Sequence, residues 1–148
     1  MSNNIKWFNE IGIEDVAHVG GKNASLGEMY QSLTQEGVRV PNGFAITSEA
    51  YVYMLDENQA WDKLHQLLDD IDVNNIQELQ KRGKTCREIV YNCVIPEDLK
   101  NDILEAYIKL KEEYGDTLSL AVRSSATAED SPEIAPSRFL KLSCSGLS

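Results

Sequence analysis

The stretch from Leu118 to Pro132 constrains the fold most, because an apolar run changes there, within a few residues, into a polar cluster. Leu118, Leu120 and Val122 alternate along the chain, which predicts a β-strand. Arg123 follows directly, and short polar side chains come after it: Ser124, Ser125, Thr127, Glu129 and Asp130. A guanidinium presents a planar set of donors that fits phosphate or carboxylate oxygens, and hydroxyl groups can complete such a site. The stretch therefore predicts a strand that ends at an anion-binding site.

A plainer interpretation fits the same residues. Arg123 is then a surface arginine that pairs with Glu129 or Asp130, beside a loop rich in serine and threonine. Such ion pairs and loops are common, so the residue pattern of this stretch by itself favours neither interpretation.

A second anion-binding pattern precedes a predicted helix near the N-terminus. Gly20 and Gly21 let the backbone turn tightly and approach a ligand, and Lys22 follows them. The next apolar residues recur at helical spacing and mark one face of a helix: Leu26, Met29, Tyr30 and Leu33. Lys22 is thus predicted at a helix N-terminus, where unpaired N–H groups favour phosphate. The spacing differs from that of the P-loop motif, and a glycine turn with an exposed lysine is the alternative.

The remaining patterns predict an α+β fold with a small sheet and several helices. Residues 5–19 predict a short strand, a turn and a second short extended piece. Residues 38–46 predict an extended stretch that a turn interrupts. Thr47 or Ser48 is the expected cap of the next helix, and residues 61–114 carry helical periodicity.

Individual residues of these helices also have predicted positions. Gly37 and Gly115 are expected just beyond helix C-termini, and Pro96 is expected at the first position of a helix. Cys86 is predicted to be a small buried residue. Four cations are predicted to form a solvated face and not a binding patch, because acidic helices flank them: Lys81, Arg82, Lys84 and Arg87.

Length and composition exclude several classes of function. The 148 residues allow one domain with a core, or part of a larger one, and the formal net charge of −10 argues against a nucleic-acid partner. No apolar run approaches the roughly 20 residues of a membrane helix, and the N-terminus lacks an export signal, so we expect a cytoplasmic protein without a membrane partner. The cysteines and histidines lack metal-binding spacing, so no metal ligand is predicted.

Three ordered blocks together resemble the ATP-binding domain family of phosphoenolpyruvate synthases, pyruvate phosphate dikinases and rifampicin phosphotransferases. The blocks are residues 20–29, residues 40–51 and residues 121–130. The resemblance implies the N-terminal portion of an ATP-grasp type nucleotide-binding domain, here over residues 1–132. Residues 133–148 diverge from the family pattern, and we expect them to form a mobile tail.

The resemblance also implies which residues meet the ligand. In the family, the lysine after the glycine pair and the arginine of the Val-Arg-Ser-Ser block contact ATP phosphates, which corresponds to Lys22 and Arg123. Gly20, Gly21 and Ser124 complete the predicted ATP site, with Mg²⁺ accompanying the nucleotide. No residue of this chain is assigned a catalytic role or a metal-ligand role. The family passes a phosphoryl group to a histidine on a separate domain, and the synthases then pass it to pyruvate, so pyruvate is expected to be reached only through other domains.

Two hypotheses follow from the way this chain departs from the family after Pro132, where the expected Ser-Phe-Ala-Gly-Gln type loop is replaced. The first is the ATP-binding N-terminal part of a synthase-like dikinase, which binds Mg·ATP weakly and shows no turnover alone; a rifampicin phosphotransferase-like fragment is its less favoured variant. The second is a non-catalytic nucleotide-binding or regulatory module that pairs with a partner. Apolar surface left uncovered is expected to permit self-association.

Overall fold

The computed structural model describes residues 3–127, and this part of the chain has the predicted α+β architecture. The two strands are β1 (Ile5–Trp7) and β2 (Phe44–Ile46). The α-helices of the described part are α1 (Val16–Val19), α2 (Gly21–Gln35), α3 (Ser48–Glu57), α4 (Ala60–Leu68), α5 (Ile76–Tyr91) and α6 (Glu97–Tyr114). Two 3₁₀-helices, Phe8–Glu10 and Ile13–Asp15, lie between β1 and α1.

The sheet consists of β1 and β2, which pair antiparallel with Ile5 opposite Ile46 and Trp7 opposite Phe44. The rings of Trp7 and Phe44 lie 5.6 Å apart between their centroids, in a tilted arrangement. Aromatic cross-strand pairs of this kind are a main source of stability in short sheets. The sheet thus joins the N-terminal segment to the segment that leads into α3.

The predicted second extended piece within residues 5–19 is wrong, because residues 13–19 are helical. The Asp15 carboxylate accepts a hydrogen bond from the backbone N–H of Gly12 at 2.9 Å and another from Lys6 Nζ at 2.6 Å. The bond from Lys6 lowers the pKa of the Asp15 carboxyl below its ordinary value. Local capping by a side chain therefore outweighs the strand preference of the valines in this segment.

The first core cluster packs α1 and α2 against the sheet. Its buried residues are Ile11, Val19, Ala24 and Ala45, and Phe8 and Val16 pack around them. Gly27 of α2 lies directly on Ile11, since a methyl group built on Gly27 would come 2.3 Å from the Ile11 carbonyl oxygen. Gln31 Nε2 donates to the same oxygen at 2.7 Å, so α2 is held at a short and defined distance from this segment.

The second core cluster joins α3, α4 and α5. Its buried residues are Leu55, Ala60 and Leu64, and partly buried side chains of α3 and α5 and of the turn after α5 cover them: Met54, Cys86, Ile89, Val90 and Cys93. Cys86 packs against this core but is only partly buried, so its predicted burial is confirmed only in part.

The prediction of a solvated cationic face on α5 is wrong for one of its four members. Lys81, Lys84 and Arg87 are exposed, but Arg82 is partly buried. Arg82 donates to Glu78 Oε1 at 2.8 Å, to the Leu67 carbonyl oxygen at 3.0 Å and to the carboxylate of Asp70. A single guanidinium thus connects α5 to the C-terminal end of α4, which a helical charge pattern cannot reveal.

The helix ends largely follow the predicted signals. Gly37 has φ +81°, and its N–H donates to the Thr34 carbonyl oxygen while that of Val38 donates to Leu33, which closes α2 with a Schellman motif. Gly115 ends α6 with φ +82°. Pro96 precedes α6 as its N-cap, one residue earlier than predicted.

The predicted strand from Leu118 to Val122 is wrong for the part of the chain that the structure describes. These residues form no strand there, and the side chains of Leu120 and Val122 are 47% and 75% exposed. A strand needs a neighbour to satisfy its backbone groups, and within the described residues neither β1 nor β2 pairs with this segment.

Within residues 3–127, no helix combines the length and the apolar character that crossing a membrane requires. The predicted domain boundary at residue 132 and the predicted tail, residues 133–148, lie outside the described residues.

Thr47 provides a test of the link between the N-terminus and α3. Its buried Oγ1 accepts from the Ala50 N–H at 3.3 Å and donates to the Asn3 carbonyl oxygen at 2.7 Å. We expect Thr47→Ala to lower the free energy of unfolding by about 1–2 kcal/mol, measured by urea denaturation. Thr34→Ala, at an exposed position of α2, is the matched control and should change it by less than about 0.5 kcal/mol. Equal effects of the two substitutions would contradict the assignment.

Candidate functional site

The junction between α1 and α2 is the single residue Gly20. It has φ 79° and ψ 159°, a backbone conformation that is essentially restricted to glycine. Its N–H donates to the Val16 carbonyl oxygen at 2.8 Å, and its own carbonyl oxygen accepts from the Ala24 N–H at 3.0 Å. One residue therefore ends α1 and begins α2, and the first N–H groups of α2 face out of its N-terminal end.

A second segment of the chain packs directly on Gly20. A methyl group built on Gly20 would lie 2.2 Å from Ser125 Oγ and 2.9 Å from the Ala126 carbonyl oxygen. The 125–126 segment thus occupies the space that any larger side chain would need. Because Arg123 and Ser124 immediately precede this segment, its packing brings them to the start of α2.

These contacts create a cleft of about 270 Å³ between α2 and the chain around Arg123. Its lining residues are Gly21, Lys22, Asn23, Ser25, Leu26, Met29, Arg123 and Ser124. Four of the five residues predicted to form an ATP site line this cleft together, although they are about a hundred positions apart in the sequence. The fifth, Gly20, lies against the 125–126 segment.

The cleft is positively charged in a chain that is strongly acidic overall. Lys22 is the second residue of α2, so its ammonium group adds to the positive end of the helix dipole. Arg123 adds a guanidinium from the other wall, and the side chains of Lys22, Arg123 and Ser124 are all exposed. Two cations, a hydroxyl group and a helix N-terminus are together suited to bind a compact anion with several oxygens.

The alternative partners of Arg123 that the sequence left open, Glu129 and Asp130, lie outside the described residues. Within residues 3–127, no three His, Cys, Asp or Glu side chains are grouped so that they could hold a metal ion.

His18 lies two residues before Gly20 and has a structural contact. Its Nδ1 makes a short hydrogen bond with the Glu49 carboxylate, and Ser48 Oγ donates to the Ala17 carbonyl oxygen at 3.1 Å. Burial raises the pKa of the Glu49 carboxyl, but hydrogen bonds from its own backbone and from His18 outweigh this and lower it below its ordinary value. These contacts hold α1 against the N-terminus of α3.

Two features of the cleft differ from the sequence predictions. The sequence predicts Ser125 among the hydroxyl groups of the anion site, but its Oγ is buried against Gly20 and does not line the cleft. No local pattern indicates that Ser125 and Ala126 pack there. The sequence pattern predicts that Leu26 and Met29 share one face of α2 but does not relate that face to the anion site; both line the cleft, and Met29 is 48% exposed. Their spacing from Lys22, at i+4 and i+7, is the signal that could have shown the shared face.

Comparison with known proteins identifies the family to which this chain belongs. Residues 16–136 match the family model described as pyruvate phosphate dikinase, AMP/ATP-binding domain, and the chain belongs to this family.

The similar full-length relatives include three phosphoenolpyruvate synthases. The enzyme of Synechocystis sp. is 48% identical over 134 residues, that of Helicobacter pylori 47% over 130 residues and that of Escherichia coli 44% over 138 residues. These alignments cover 87%, 87% and 90% of this chain, which spans only 16–17% of the length of these relatives. The family resemblance predicted from the three sequence blocks is confirmed.

Gly20→Ala tests the approach of the 125–126 segment, and Gly115→Ala is its matched control. Gly115 has φ 82° and ψ −176°, a similar backbone conformation, but a methyl group built there meets nothing within 4 Å. Gly115→Ala should lower the free energy of unfolding by about 1–3 kcal/mol through backbone strain alone. Gly20→Ala should lower the free energy of unfolding by about 1–3 kcal/mol more than Gly115→Ala does, because its methyl group also displaces the 125–126 segment. If urea denaturation shows that the two substitutions lower the free energy of unfolding equally, the close approach of the 125–126 segment to Gly20 is contradicted.

Ser125→Ala separates the hydroxyl group of Ser125 from its backbone. Ser125 Oγ is buried and has no hydrogen-bond partner within residues 3–127. Removal of a buried and unpaired hydroxyl removes a desolvation cost, so we expect this variant to be as stable as the wild type or up to about 1 kcal/mol more stable. In the Gly20→Ala background it should also recover part of the lost stability, since Oγ is the nearest obstructing atom. A loss above about 1 kcal/mol in the single variant would show that the hydroxyl group is bonded.

Proposed function

We propose that this chain binds the phosphates of Mg·ATP in the cleft beside Gly20, as the nucleotide-binding part of a phosphoenolpyruvate synthase-like dikinase. The observation that supports the proposal most is the shared cleft, because Lys22 and Arg123 come from distant parts of the sequence and meet beside a helix N-terminus. Membership of a family described as AMP/ATP-binding supports the nature of the ligand.

The residues fit a polyphosphate chemically. Lys22 provides a compact positive charge with three donors, and Arg123 provides a planar guanidinium that can bind two phosphate oxygens at once. Ser124 adds a hydroxyl donor, and Gly21 places a backbone N–H at the start of α2 without a side chain that would obstruct the ligand. Gly20 maintains the turn that holds these groups together. Mg²⁺ bound to the phosphates would supply further neutralisation of charge.

The same residues suit phosphoryl transfer from ATP. Lys22 and Arg123 would hold the phosphates in one orientation and offset the negative charge that develops as a phosphoryl group leaves. In this proposal the acceptor is a histidine on a separate domain, and that histidine passes the phosphoryl group to pyruvate bound in a further domain. Phosphoenolpyruvate synthase chemistry is supported over rifampicin phosphorylation because the relatives described above are phosphoenolpyruvate synthases.

The proposal extends to the architecture and the setting of the chain. We infer that residues 1–132 form the N-terminal portion of an ATP-grasp type domain and that the protein acts in the cytoplasm. The chain alone contributes nucleotide binding, and we expect no conversion of ATP in the presence of pyruvate by this chain by itself.

Calorimetric titration with Mg·ATP tests the proposed ligand. A hydrogen bond to a charged group is worth about 1.5–3 kcal/mol, so Lys22→Ala and Arg123→Ala should each weaken binding about tenfold or more. Lys81→Ala and Arg87→Ala, which remove exposed cations from α5, are the matched controls and should leave the affinity unchanged.

Two results would overturn the proposal. One is the absence of binding by a wild-type chain whose circular dichroism and cooperative unfolding show that it is folded. The other is binding that the four single substitutions weaken to the same extent, since the net charge of the chain would then matter and the cleft would not.

A further inference from the structure

The wall of the cleft that α2 forms changes in character along the helix. Lys22, Leu26 and Met29 lie at positions i, i+4 and i+7 of α2, and all three line the cleft. This spacing places them on one face of the helix, with the cation at its N-terminal end and the two apolar side chains further along. With a rise of 1.5 Å per residue, Met29 lies about 10 Å along the helix axis from Lys22.

Within residues 3–127, the packing of the chain does not explain the apolar part of this wall. Met29 is 48% exposed and lies outside the two core clusters of the described residues. Ala24 and Gly27, on the opposite side of α2, provide the contact with the first core instead. Within the described residues, the exposed Met29 and the partly exposed Leu26 therefore offer an apolar surface beside the cation pair.

We propose that Leu26 and Met29 form the surface against which the nucleoside portion of the ligand rests, while Lys22 and Arg123 hold its phosphates. This inference depends on the proposed function, because it assigns the second half of the same ligand. An extended nucleotide separates its base from its terminal phosphate by a length comparable to the distance between Met29 and Lys22. Methionine suits the role, since its flexible thioether side chain adapts to a flat aromatic ring and contacts it favourably.

The cleft is small, which is consistent with a nucleoside that rests on one protein surface and is not enclosed. Its volume of about 270 Å³ is slightly below the range of about 300–1,000 Å³ of pockets that enclose a small molecule. The apolar surface would therefore distinguish a nucleotide from a bare polyphosphate without enclosing the base. Selectivity for a nucleotide is the property that this surface adds to the cation pair.

Comparison of two ligands tests the inference. Calorimetric titrations of the chain with Mg·ATP and with the magnesium complex of inorganic tripolyphosphate share the phosphate contacts and differ in the nucleoside. The wild-type chain should bind Mg·ATP more tightly. Met29→Gln should weaken Mg·ATP about three- to tenfold, which corresponds to the loss of a sulfur–aromatic contact, and should leave tripolyphosphate binding unchanged. Met29→Leu, which keeps the apolar surface, should retain most of the affinity for Mg·ATP.

Leu104→Gln is the matched control, because Leu104 lies on α6 and is 47% exposed, similar to Met29. It should affect neither ligand, and urea denaturation of each variant establishes that the chain stays folded. If Met29→Gln changes neither affinity, or changes both equally, the inference is overturned while the proposed phosphate site stands. If the folded wild type binds neither ligand, the proposed function itself fails. Lys22→Ala separates these two cases: if it weakens the binding of both ligands, the phosphate site stands even when Met29→Gln has no effect.

Discussion

The arrangement of the cleft depends on one close approach, in which the α-carbon of Gly20 lies directly against Ser125 and Ala126. No side chain fits between them, and the backbone conformation of Gly20 is itself accessible essentially to glycine alone. Gly27 makes a second close contact of this kind, with Ile11, and this contact fixes α2 further along the helix. Because α2 is fixed at both points, Lys22 and Arg123 can face one cleft although the sequence separates them widely. A rigid helix with two glycine contacts is a suitable base for a site that must position phosphates.

The candidate site is positively charged, whereas the chain as a whole is negatively charged. The chain carries a formal net charge of −10, which disfavours the approach of an anion from a distance. Near the start of α2, two cations and the positive end of a helix dipole reverse that sign over a short range. At physiological ionic strength, exposed charges separated by more than about 8 Å are largely screened, so the nearby cations decide the interaction with a bound phosphate. Other cations stabilise the fold: Lys6 donates to Asp15, and Arg82 connects the end of α4 with α5.

Much of the fold could be predicted because short-range chemistry determines it. Thr47 caps α3, and Gly37 and Gly115 end α2 and α6 at the expected places, since capping depends on residues within one turn. The strand preference of a segment was misleading in two places, once because a side-chain cap outweighed it and once because a partner strand was needed. Residues 13–19 became helical through the contacts of Asp15. Leu118 to Val122 has the composition of a strand, but no neighbouring strand pairs with it in the part of the chain that the structure describes. Strand formation needs two segments, and the composition of one segment does not reveal the second.

The sequence by itself determined the residue types of the candidate site and the family of the chain. A glycine pair before a lysine, and an arginine before two serines, are patterns whose chemistry suits phosphate, and three ordered blocks sufficed for a resemblance that comparison confirmed. Only the tertiary structure decided that these residues share one cleft, that Ser125 and Ala126 bring them together, and that Leu26 and Met29 line the same wall. The reason is physical: side-chain chemistry is carried by each residue, whereas proximity arises from packing between segments that are about a hundred residues apart.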